Sequence, residues 1–144
     1  MKNEKDSVLF SKLKTAFQEA SDFLELKKQV DISIKKISRM LEEMTDNVMH
    51  LKSSEGSLDN FTTNYLINIE RVDDYRGLNS LFLCGYRMDE IKGFPVIIET
   101  YDEIISYETA DTFEERIVEL ISSPECTMRI LELANNSAFD DIPF

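Results

Sequence analysis

The 144-residue sequence contains no Trp, one His, two Cys, three Pro and four Gly. Each shortage closes off a class of answer. So few Gly and Pro leave little room for long irregular loops. Neither a phosphate-cradling loop nor a dinucleotide-binding glycine pattern is present. A four-ligand zinc site needs His and Cys at set spacings, which His50, Cys84 and Cys126 cannot supply. The two cysteines form no CxxC pair, lie in apolar stretches and read as reduced core thiols. No run approaches the roughly 20 apolar residues that a membrane span needs. The opening Met1-Lys2-Asn3-Glu4-Lys5-Asp6 leads into an amphipathic pattern rather than a signal-peptide core, so a cytoplasmic location is expected. Cations are also scarce: 16 Lys and Arg stand against 28 Asp and Glu, a net charge of −12. That balance argues against a protein whose main task is coating a phosphate backbone.

Apolar material is not lacking. At 42% hydrophobic residues, with nine Phe and five Tyr, the chain can build a packed core. Its charge is unevenly placed. Residues 1–52 hold ten Lys and Arg against nine Asp and Glu, a balance of +1, whereas residues 53–144 hold six against nineteen, a balance of −13. Three regions are expected: a long amphipathic helix over 1–52 serving oligomerisation, a small α+β domain over 53–135, and a flexible acidic tail over 136–144.

Residues 1–52 contain neither Gly nor Pro, and apolar residues recur at helical spacing throughout. Phe10, Leu13, Phe17, Ala20 and Leu24 form one series. Val30, Ile34, Ile37, Leu41, Met44, Val48 and Leu51 form a second, a strict heptad seam with the a/d pattern of a coiled coil between copies of the chain, packing along the chain's own β-domain being the alternative. Between Leu24 and Val30 the phase slips, bridged by Phe23 and Leu26, which suits a stammer or a bend. A helix over residues 5–52 would be about 70 Å long, more than so small a domain can bury by itself.

After Ser53-Ser54-Glu55-Gly56-Ser57 the period changes to two. Tyr65, Ile67 and Ile69 alternate with Leu66, Asn68 and Glu70 in one strand. Leu81 to Tyr86 suits a central strand, Phe94 to Tyr101 a third with Pro95 near its start, and Ile104 to Tyr107 a short fourth. Short connections predict an antiparallel meander. Asp111 or Thr112 can cap a helix that buries Phe113, Ile117, Leu120 and Ile121. Ser123-Pro124 reads as N-cap and N1 of a second helix, with Ile130, Leu131 and Ala134 inward, ending at Asn135-Asn136-Ser137. The fold class is therefore α+β: a long helix, a three- to four-stranded antiparallel sheet, two short helices and a tail.

No catalytic constellation, metal site or cofactor is read from these residues. His50 lies near the expected helix end with no nucleophile in a recognisable motif. Asp73-Asp74 with Glu90-Ile91-Lys92 superficially offers the acids and lysine of a metal-dependent nuclease, but the latter triplet falls in a connection ending at Gly93. Asp89-Glu90 and Asp102-Glu103 read as solvated turns. Lys27, Lys28, Lys35, Lys36 and Arg39 could track phosphates, yet Asp22, Glu25, Asp31, Glu42 and Glu43 are interleaved with them, as on the outer face of a charged helix.

The sequence closes on Phe139-Asp140-Asp141-Ile142-Pro143-Phe144. A terminal Phe can bury its ring while its α-carboxylate pairs with Arg or Lys, and two preceding acids attract a basic rim. This series resembles the acidic C-terminal tip of bacterial single-stranded-DNA-binding proteins (SSB), Asp-Asp-Asp-Ile-Pro-Phe after a phenylalanine, one aspartate short. The resemblance covers the tip alone. A long helix at the start, too few strands for a barrel and no Trp separate the remainder from an OB-fold SSB. It implies docking, through Asp140, Asp141, Ile142, Pro143 and Phe144, onto proteins that bind SSB tips: helicases such as RecQ and PriA, exonuclease I and recombination mediators. Three further readings stay open: an acidic DNA mimic, a non-OB single-stranded-DNA binder, and a coiled-coil adaptor with no link to DNA.

Overall fold

A computed structural model describes residues 4–74 and 80–135. The tail 136–144, with all five tip residues, lies outside the described residues. The fold is α+β. Helix α1 (Glu4–Met44) leads into a sheet of five strands, β1 (Met49–Glu55), β2 (Tyr65–Arg71), β3 (Ser80–Asp89), β4 (Gly93–Glu99) and β5 (Ile104–Tyr107), followed by α2 (Ala110–Ile121) and α3 (Pro124–Asn135). Every neighbouring pair is antiparallel and the sheet order is the chain order, the expected meander with one strand more.

The extra strand comes from the end of the expected helix. Thr45 stops α1: its N–H and its hydroxyl both donate to the Leu41 carbonyl, at 3.1 and 2.8 Å. Asp46 and Asn47 then take left-handed backbone, φ 52° and 64°, which short polar side chains tolerate best. The chain reverses there, and the Met49 N–H donates to Thr45 Oγ1 at 3.0 Å. Met49, Leu51 and Ser53 thus form the inward face of β1. A helix end and a strand start both permit Val48 and Leu51 to be apolar, and the heptad count ran through the turn for that reason.

This corrects the expected seam. Val30, Ile34, Ile37 and Leu41 are buried, but against the chain's own Met49, Leu51, Ile67, Ile69, Val96 and Ile98 rather than against a second helix. Met44 is 82% exposed, Val48 is half-buried in the turn, and Leu51 belongs to the sheet. Six of the seven are thus engaged within the chain's own fold, and Met44 stays exposed. The boundary expected after residue 52 falls inside β1, and α1 shares one core with the sheet.

Three helices cover one face of the sheet. Phe113 and Ile117 of α2 and Ile130 of α3 complete the core. Thr109, rather than Asp111 or Thr112, caps α2: Thr112 N donates to Thr109 Oγ1 at 3.2 Å and Thr109 N to Thr112 Oγ1 at 3.3 Å, a reciprocal box. Ser123 caps α3 as expected, accepting from Cys126 N at 3.2 Å. Lys36 of α1 reaches Glu114 of α2 at 2.7 Å and fixes their relative position.

Candidate partner-docking site

The expected docking residues follow α3, and the structure shows how the root of that segment is held. Arg71, buried at the end of β2, donates through Nη1 to the Leu133 and Ala134 carbonyls at 2.8 and 3.2 Å. These are among the carbonyls that the last turn of any helix leaves unsatisfied. The same guanidinium grips Asp73 Oδ1 and Oδ2 at 2.9 and 3.1 Å, and this holds the Asp73 carboxyl below its ordinary range. The C-terminal end of α3 is therefore fastened to the sheet.

The acidic pairs do not converge. Asp73 and Asp74 follow β2 at one end of the sheet, beside α3, whereas Asp89 and Glu90 lie at the other, in the β3–β4 hairpin. Asp89 Oδ1 accepts from the Ile91 and Lys92 N–H groups at 2.9 and 2.8 Å, which lowers its pKa and closes the turn. Glu103 pairs with Arg116, which also holds Glu119 at 3.1 Å. Among the described residues no group of three or more His, Cys, Asp or Glu is arranged to hold a metal. Burial pushes the Cys84 thiol up to about 12, away from thiolate chemistry.

His50 is not a helix-terminal residue. It stands on β1 opposite Glu70, with Nε2 3.5 Å from Glu70 Oε1, and Lys52 Nζ approaches the same oxygen at 3.7 Å. Four of the five cations of the expected basic stripe have local partners. Lys27 donates to the Glu90 carbonyl at 2.9 Å, Lys28 and Lys35 pair with Glu25 and Asp31 on the helix, and Lys36 pairs with Glu114. That is the behaviour of a charged outer helix face.

Two surfaces escaped sequence reasoning. Phe61, Phe82 and Tyr101 meet edge to face with centroids 5.4–5.7 Å apart, above a buried Glu99 that accepts from Thr62 N and Oγ1, each at 2.8 Å. Only the fold brings these distant positions together. The second is the apolar series Phe10, Leu13, Phe17 and Leu24, whose helical spacing is plain in the sequence but whose exposure is not. Among the described residues no helix is long and apolar enough to cross a membrane. Comparison of the chain with protein-family models, with curated proteins and with solved structures finds no match.

Proposed function

We propose that the chain is a non-enzymatic adaptor or inhibitor in bacterial or phage DNA metabolism that docks onto SSB-tip-binding replication, recombination or repair proteins. The observation that carries this reading is the series Asp140-Asp141-Ile142-Pro143-Phe144 and its likeness to the SSB tip. The Phe144 ring would fill an apolar pocket while its free α-carboxylate meets an Arg or Lys, so a single residue supplies both anchor and charge-assisted hydrogen bond. Pro143 limits the conformations that must be frozen on docking. Asp140 and Asp141 attract a basic rim and speed encounter, with the acidic remainder of residues 53–144 adding to the same field. The Arg71 clasp on α3 supports this arrangement, since it gives the docking segment a fixed root.

The test is calorimetric titration of exonuclease I with the full chain and with a chain lacking Phe144. Loss of the anchor is expected to weaken binding about 30-fold or more, the scale of a hot-spot residue. Appending two residues after Phe144 should do the same by masking the carboxylate, and added salt should weaken the intact contact. Equal affinities for the intact and shortened chains would overturn the reading.

A further inference from the structure

The sheet and its hairpins reach only part of the way along α1. Their last holds are Lys27, which donates to the Glu90 carbonyl, and Phe23, whose ring lies 5.6 Å from Lys92 Nζ. Residues 4–22 extend beyond as helix for about 28 Å. An isolated helix of this length is marginal in water, and Val8, Phe10, Thr15 and Phe17 are weak helix formers. Apart from Val8, its large apolar residues are nonetheless arranged on one side. At 100° per residue, Phe10, Leu13, Phe17, Ala20 and Leu24 fall within an arc of roughly 80°, and Leu9 and Ala16 widen it. From residue 8 to 24 no charged side chain enters that arc. Phe10, Leu13 and Leu24 are each more than half exposed and Phe17 is 73% exposed. The stripe is rotated by roughly 100° from Val30, Ile34, Ile37 and Leu41, so the residues that bury the core do not cover it.

We propose that this face is covered by the same segment of a second copy, running antiparallel. Three observations select that occupant and that direction. From residue 7 to 26 the charge is segregated: Lys12 and Lys14 precede Thr15, whereas Glu19, Asp22 and Glu25 follow it. Antiparallel pairing about Thr15 sets the cationic half of each copy beside the acidic half of the other, whereas parallel pairing sets like beside like. The same register places Phe10 against Ala20 of the second copy, large beside small, and Leu13 against Phe17 of the second copy, apolar beside apolar. Parallel alignment would instead stack Ala20 on its own twin and leave a gap between Phe17 and Leu24. Finally, antiparallel helices hold the two acidic bodies at opposite ends of the seam, beyond the roughly 8–10 Å Debye length, whereas parallel helices would press them together. Two such segments bury on the order of 1,000 Å² in total, the lower edge of a specific interface, so a dimer of modest affinity is expected.

Sedimentation equilibrium of the full chain from 1 to 200 μM tests the association. The expected result is a concentration-dependent dimer that Phe17→Glu converts to monomer without moving the thermal melt of the core, because Phe17 touches none of it. A nitroxide at Ser7→Cys, in a Cys126→Ser background, then reads direction by dipolar spectroscopy. Antiparallel pairing about Thr15 puts the two labels about 25 Å apart along the axis, and parallel pairing puts them side by side. A monomer throughout, a dimer indifferent to Phe17→Glu, or labels side by side would each overturn the proposal.

Discussion

Gly93 has one backbone task that no other residue can perform. Its φ of 80° lies in the left-handed region, and a Cβ there would meet the Lys27 Cα and N at 2.7 and 2.8 Å. The β3–β4 hairpin can therefore lie directly on the backbone of α1, which places Glu90 within reach of Lys27. Gly93→Ala carries both backbone strain and a backbone clash, and should destabilise the fold by more than about 1 kcal/mol. Urea unfolding measures it, and an unchanged midpoint would contradict this account of the hairpin. Arg71 answers to a different physics. Arg71→Met keeps most of the apolar stem but orphans the Leu133 and Ala134 carbonyls, at an expected cost of about 1–3 kcal/mol. Amide exchange should rise within α3 before it rises in β2 or β3. Uniform protection across the chain would show that the clasp does not hold the helix.

At the scale of elements, the sequence is legible where local pattern and tertiary contact agree. The alternation of Tyr65, Ile67 and Ile69, the Ser123-Pro124 start of α3 and the apolar stripe of α2 all correspond to elements. Periodicity in Val30, Ile34, Ile37 and Leu41 correctly marks a face that must be covered. It does not say by what, because a seam facing its own sheet and a seam facing a second helix have the same spacing. The missed strand has a comparable cause: Leu51 continues the helical three-residue step from Val48 as well as the two-residue step from Met49, and the informative signal is the polar Thr45-Asp46-Asn47 turn. The expected docking residues rest on the chemistry of the tip and its likeness to the SSB tip, whereas the Arg71 clasp on α3 joins positions more than 60 residues apart and has no local signature.

For the whole molecule, length and charge set the organisation. A helix of 41 residues, about 60 Å, is shared between two duties: one part closes the core, the other presents an apolar stripe. Paired antiparallel, two copies would hold two acidic bodies at opposite ends and bring two tips to one assembly, and a weak tip contact would gain from a receptor offering two sites. On the proposed reading, a −12 chain that docked onto nucleic-acid-processing proteins through five residues would need no cationic surface of its own. The central claim is that these residues occupy the pocket that receives an SSB tip. It is tested most directly by fluorescence anisotropy of a labelled SSB-tip peptide bound to exonuclease I and titrated with this protein. The account predicts full displacement by the intact chain and displacement weakened about 30-fold or more once Phe144 is removed. A peptide that stays bound, or that both forms release equally well, would contradict it.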